Sequence, residues 1–242
     1  MMRSLAGAIQ FLTVIRVPSG GAPVAPGRAA MWFPLVGAAL GAAGAGVFLG
    51  LRLILPVSLA ALATVAFWTA ISGVLHEDGL ADAADALRAG RSQEGMLAIL
   101  RDPRIGTFGA VAVAISILAR WQALQYILAP NVVLACIAAQ AVPRAAMVGI
   151  AWTSRPAGTG LGHALSSTLA TPAALFALAQ GAVAALACGV REGVLLIGGA
   201  YLIGRAARWY FYRRLGGVNG DCLGAAEQIL EIYALLLFTV KL

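Results

Sequence analysis

"VSLAALATVAFWTAISGVLHEDGLADAADAL", residues 57–87, runs for twenty residues without an Asp, Glu, Lys or Arg and then sets Glu77, Asp78, Asp82 and Asp85 within nine positions. A helix needs about 20 predominantly apolar residues to cross the hydrocarbon core of a bilayer. The first part therefore reads as a membrane span and the second as the charged segment leaving it. Similar apolar lengths recur near 29–50, 107–128, 132–151, 172–190, 194–212 and 223–240. Together they predict an all-α fold, a polytopic integral membrane helical bundle of about seven transmembrane helices.

Composition agrees. The 242 residues are 61% hydrophobic and only 11% charged, with a mean hydropathy of +0.88, too few polar side chains to cover a soluble domain. Pro56, Pro130 and Pro172 stand at or just before helix starts, where a missing N–H is harmless, and "GGVNG" (216–220) breaks the chain ahead of the last helix. Small residues in "GAALGAAGAG" (37–46) permit close helix packing. No internal repeat is evident, so residues 1–242 are expected to form a single membrane-embedded domain. The amino terminus, "MMRSLAGAIQFLTVIRVPSGGAP", has a weak basic start and a short apolar run without a small-residue cleavage site, and reads as an interfacial or re-entrant segment that is kept.

The net charge of +7 does not imply nucleic acid, because the arginines lie between apolar segments rather than along one amphipathic face. Topology explains them better. With seven spans, Arg3, Arg16, Arg28, Arg88, Arg91, Arg101, Arg104, Arg155, Arg213 and Arg214 fall on one side, Arg52, Arg191 and Lys241 on the other, and Arg120 and Arg144 within spans. The positive-inside rule makes the arginine-rich side cytoplasmic. Glu77, Asp78, Asp82, Asp85, Glu94, Asp102 and Asp221 fall on that side too, so the chemistry is expected to face the cytoplasm from the cytoplasmic (inner) membrane. Cys136, Cys188 and Cys222 are far apart and mostly within apolar runs, which supports neither a disulfide framework nor a zinc site.

If residues 75–88 continue the second span as a helix, Asp78, Asp82 and Asp85 share one face. Like charges so placed repel, and the arrangement calls for a cation. Oxygen ligands grouped without histidine or thiolate partners suit Mg²⁺ or Mn²⁺, ions that keep waters and bridge to substrate phosphates. A solvated helix end is the plainer reading, but ionisable groups directly after a span are usually functional. The expected metal set is Glu77, Asp78, Asp82 and Asp85, with His76 left outside it.

Four other stretches carry candidate residues. "LRDPRIGTFG" (100–109) sets Asp102 between Arg101 and Arg104, either as a structural pin or as guanidinium groups that grip phosphate. "RRLGGVNGDCLGAAEQ" (213–228) carries Arg213, Arg214, Asp221 and Glu227, but its glycine spacing is not that of a P-loop. Asp221 reads as a helix cap or a functional acid, whereas Glu227, one or two turns into a span, is harder to assign to capping. Arg144 in "AVPRAAM" is costly in a span unless it pairs or lines a polar cavity. "SRPAGTGLG" (154–162) could form a lid over an anionic substrate.

"FLTVIRVP", "FPLVG" (33–37), "HEDGLADAADAL" (76–87), "RDPRIGTFG" (101–109) and "RRLGGVNGDCLGAAEQ" (213–228) together, in order along nearly the whole chain, resemble the cobalamin synthase (adenosylcobinamide-GDP ribazoletransferase) family. The resemblance implies an integral membrane transferase that joins adenosylcobinamide-GDP to α-ribazole or its 5′-phosphate, releases GMP and uses Mg²⁺. On that basis Glu77, Asp78, Asp82 and Asp85 are expected to hold metal. Asp82 and Asp221 are expected to be catalytic, and Arg101, Asp102, Arg104, Arg144, Arg213, Arg214 and Glu227 to bind substrate. A homo-oligomer is compatible with the sequence. The rival reading is a proton- or divalent-cation-coupled transporter, which should place its carboxylates mid-span rather than at one interface.

Overall fold

The computed structural model describes residues 1–18, 24–88, 92–127 and 129–240; Arg91 and Lys241 lie outside the described residues. The chain is helical, and the only β-structure among these residues is an isolated bridge between Pro156 and Val218. Helix α1 (Met2–Leu12) is followed by α2 (Pro26–Ala29), a 3-10 turn and α3 (Phe33–Leu51), which run on as one long helix. Then come α4 (Val57–Ile71), α5 (Leu75–Arg88), α6 (Gln93–Ile99), α7 (Thr107–Tyr126) and α8 (Val132–Trp152). The series closes with α9 (Leu161–Thr168), α10 (Thr171–Leu186), α11 (Val190–Leu215) and α12 (Gly220–Leu237).

All seven apolar segments coincide with helices, but they are not seven equivalent spans. Pro26–Leu51, α7 and α8 are long and apolar enough to cross a membrane by themselves, and the count reaches five if α4 with α5 and α9 with α10 are each taken as one bent span. The difference lies in two sharp breaks, of 86° between α4 and α5 and 104° between α9 and α10. It lies also in α11 and α12, whose charged residues make them less apolar than a lone span. Helix α12 is instead a core helix, buried along most of its length against α5, α7 and α8. Helix α1 has eleven residues, about 16 Å at 1.5 Å each, too short to cross, and it rests on the long helix through Phe11 stacked on Phe33 at 5.1 Å.

The break between α4 and α5 sets the direction of the acidic stretch. Gly73 and Val74 both take positive φ, 63° and 64°. A β-branched residue there is strained, a cost of order 1–3 kcal/mol that persists only where the surroundings enforce it. Val74 N–H donates back to Thr69 O at 2.9 Å and closes the end of α4. The acidic stretch therefore does not continue the span. It is a separate helix turned through 86°, and we read it as lying outside the spans.

Candidate active site

Helix α5 crosses the first turn of α12 almost backbone to backbone. A methyl group built on Gly79 would come within 3.2 Å of Asp221 Cα and 3.3 Å of Gly224 Cα, so glycine at both positions favours this close crossing. It brings Asp78 and Asp221 to the wall of one pocket of about 300 Å³, together with His76, Asn219 and the Thr159–Gly162 stretch. Two loops frame the pocket and are stitched together: Ala157 N–H donates to Val218 O and Val218 N–H to Arg155 O, both at 2.9 Å. The sequence segments assigned to one side of the membrane thus meet around one cavity.

Asp82 stands among three other expected site carboxylates. Asp82 is half-buried, and burial together with the neighbouring charges of Asp78, Asp221 and Asp85 pushes its carboxyl up to about 6. Asp221 Oδ2 accepts from Asn219 Nδ2 at 2.8 Å, while Asn219 Oδ1 accepts from Cys222 N–H at 3.0 Å. Asn219, not Asp221, is therefore the cap of α12, and Asp221 is left free to act in the pocket. Among the described residues no three His, Cys, Asp or Glu side chains converge as a protein-only metal site. The donor chemistry still fits Mg²⁺, which commonly takes one or two carboxylates and completes its shell with water and phosphate oxygens.

The remaining expected residues are engaged elsewhere. Asp85 accepts from Gly106 N–H at 2.7 Å and Gly109 N–H at 2.9 Å, so its carboxylate caps the start of α7. Glu77 leaves the aspartate cluster for a buried pair with Arg120 at 2.9 Å and accepts from Thr69 Oγ1 at 2.8 Å. Arg120 also reaches Glu231 at 3.3 Å. Arg144 and Glu227 pair at 2.6 Å with both side chains buried, so neither lines the pocket to meet substrate. A charge inside an apolar bundle is tolerated when it is paired, and these five residues pair among themselves, with Glu77 Oε2 and Arg144 Nε left without a hydrogen bond.

Nor do the loop arginines converge on the pocket. Arg104 pairs locally with Asp102 at 2.6 Å on the surface, the structural-pin reading of that motif, and Arg101 is exposed. Arg213 lies over the Trp209 ring at 5.0 Å. Arg214 Nη2 donates to Leu87 O at 2.8 Å and caps the end of α5.

Sequence reasoning missed Asn219, Glu231 and the role of Arg120, and it set His76 aside. Glu227 and Glu231 one helical turn apart, with two arginines inside apolar runs, were the available signal for the buried network. His76 is buried on the pocket wall and its Nε2 has no hydrogen-bond partner.

Comparisons with known proteins bear on this geometry. The sequence model of the family described as cobalamin-5-phosphate synthase matches residues 4–239. The chain is 37% identical to an adenosylcobinamide-GDP ribazoletransferase of Ralstonia nicotianae, over 96% of this chain and 93% of that one. It is 40% identical to the protein of the same name in Bradyrhizobium diazoefficiens, over 95% and 90%, and 32% identical to that of Vibrio parahaemolyticus, over 95% and 89%. No solved structure matches.

Proposed function

Since the chain belongs to the cobalamin-5-phosphate synthase family, we propose that it acts as an adenosylcobinamide-GDP ribazoletransferase through the pocket between α5 and α12. The whole chain serves as one membrane-embedded transferase unit, with the pocket on the cytoplasmic side of the inner membrane. The substrates are adenosylcobinamide-GDP and α-ribazole or its 5′-phosphate. The ribose hydroxyl attacks the phosphorus attached to the cobinamide arm; the new P–O bond forms as the anhydride bond to GMP breaks. The observation that carries this assignment is the meeting of Asp78 and Asp221 on one pocket wall with Asp82 crowded by both charges.

Asp221 is the best-placed proton acceptor. Its Oδ2 is held by Asn219, which fixes the carboxylate while Oδ1 stays available to the attacking hydroxyl. Asp78 and Asp82 would hold Mg²⁺, which when bound would neutralise the diphosphate. Of the arginines expected to do so, Arg104, Arg144, Arg213 and Arg214 meet other partners, and neither they nor Arg101 line the pocket, which strengthens the case for a cation. The first residues of α9, after Gly160, lie on the pocket wall, where their backbone N–H groups would suit phosphate oxygens. The Thr159–Gly162 stretch thus serves as a cradle rather than a lid. The pocket walls orient the hydroxyl and phosphorus, which is the larger part of catalysis in phosphoryl transfer.

The test is GMP release from adenosylcobinamide-GDP by purified protein in lipid, with and without α-ribazole. Release that depends on α-ribazole and on Mg²⁺ supports the assignment. Metal-independent transfer would remove the cation from it, and no transfer by folded protein would overturn it. The transporter reading gains nothing from the geometry, because the carboxylates inside the bundle, Glu77, Glu227 and Glu231, are tied to Arg120 and Arg144 rather than lining a path.

A further inference from the structure

A second cavity, of about 500 Å³, lies between α8, α10 and α11 and shares no residue with the carboxylate pocket. Its walls are mostly apolar and include Gly149, Gly181 and Gly204. Along α8 it extends from Val142 to Thr153, and along α11 from Ile197 to Arg208. Eleven residues of helix rise about 16 Å, close to half of the roughly 30 Å hydrocarbon thickness of a bilayer. No carboxylate lines it.

The two helices end the groove the same way. Arg205 and Arg208, three residues apart on one face of α11, stand beside Trp152 and Thr153 at the end of α8. Arg208 is held in place: Nη2 donates to Thr153 O at 2.8 Å, Nε donates to Ser154 Oγ at 3.2 Å, and the guanidinium lies over the Tyr212 ring at 4.6 Å. Arg205 is exposed and pairs with no carboxylate among the described residues. Trp152 and Trp209 are both exposed at this end, as aromatic side chains are at a membrane interface. An apolar slot one leaflet deep, with two guanidinium groups at its mouth, matches one acyl chain below an anionic head group.

We propose that this groove is a binding site for an anionic phospholipid of the surrounding bilayer. The phosphodiester sits between Arg205 and Arg208, and one acyl chain lies along the Gly149–Gly204 wall. The charges at the mouth distinguish such a lipid from a zwitterionic one, and small residues along the wall leave room for the chain.

Native mass spectrometry of the full-length protein, delipidated in detergent and titrated with phosphatidylglycerol or phosphatidylcholine, tests the proposal. A preference for phosphatidylglycerol of roughly thirtyfold is expected, the ratio that two guanidinium groups at about 1 kcal/mol each produce. Arg205→Gln with Arg208→Gln should abolish the preference. Gly204→Leu should weaken both lipids; a Cβ at this position would lie 3.5 Å from Ile150, an ordinary contact, so the backbone itself admits a side chain. Retained helical circular dichroism and GMP release identify folded variants. Equal binding of the two lipids by the parent protein would overturn the proposal, as would unchanged phosphatidylglycerol binding in both variants. So would a dimer whose formation excludes lipid and is broken by Gly204→Leu, which would assign the groove to a second copy of the chain.

Discussion

Asn219 bridges the start of α12 to Asp221: its amide nitrogen donates to Asp221 Oδ2 at 2.8 Å and its carbonyl oxygen accepts from Cys222 N–H at 3.0 Å. One side chain both caps the helix and fixes the proposed base. Asn219→Ala should cost about 1 kcal/mol of stability from the lost cap and lower kcat by roughly 10- to 100-fold through misplacement of the carboxylate. Thermal unfolding and steady-state GMP release measure the two parts. Asn219→Ser, which keeps an acceptor for the cap but loses the amide donor, should restore stability without restoring kcat.

Asp85 is held by the backbone of α7 rather than by the pocket. Asp85→Ala removes both acceptors from Gly106 and Gly109 and should lower stability by about 1–2 kcal/mol, while the Mg²⁺ concentration for half-maximal activity stays within about twofold. A large rise in that concentration would return Asp85 to the metal set.

The Arg144–Glu227 pair should behave as buried structural charge. Removing one partner, as in Glu227→Gln, leaves an uncompensated guanidinium and should destabilise by about 3–5 kcal/mol. Arg144→Met combined with Glu227→Leu should cost less than the sum of the single changes, because no charge is stranded. A double-mutant cycle of chemical denaturation in detergent measures the coupling, and strict additivity would argue against the pair.

Asp82 predicts a pH dependence with a definite sign. Its folded value of about 6 lies above the ordinary 3.8, so between about pH 4 and 6 the folded chain binds more protons than the unfolded one. Stability of metal-free protein must therefore fall as pH rises through that window. The effect is roughly 1 kcal/mol once solvent screening of a half-exposed group is allowed for. Asp102, held down to about 2 by its hydrogen bonds to Arg104, acts only below that window. Mg²⁺ or Asp78→Asn, each reducing negative charge beside Asp82, should flatten the dependence. Melting temperatures at pH 4.5 and 7 with and without Mg²⁺ provide the check.

Much of this architecture could be read from the chain because burial in a bilayer demands long apolar helices, and all seven apolar segments are helical. The break before α5 could not be, since Val74 in a positive-φ conformation gives no compositional sign and is held there by its surroundings. Helical spacing put Asp78, Asp82 and Asp85 on one helix, α5, but did not show what each side chain meets. Asp78 and Asp82 stay with the site, Asp85 turns to α7, and the site's other carboxylate comes from Asp221, 143 residues after Asp78 in sequence. Arginines near the motifs suggested phosphate grip by proximity in sequence. Their partners, a helix end at Leu87, an indole at Trp209 and a neighbouring Asp102, are fixed only by the folded chain.

The central claim is that Asp78 and Asp221 share one pocket with different tasks. α-Ribazole-dependent GMP release, titrated with Mg²⁺ for the parent protein, Asp78→Asn and Asp221→Asn in lipid, separates them. Asp221→Asn should lower kcat at least 100-fold with its Mg²⁺ requirement unchanged, whereas Asp78→Asn should raise the Mg²⁺ concentration for half-maximal activity at least tenfold. Full activity of folded Asp221→Asn, or an unaltered Mg²⁺ requirement in Asp78→Asn, would contradict the account.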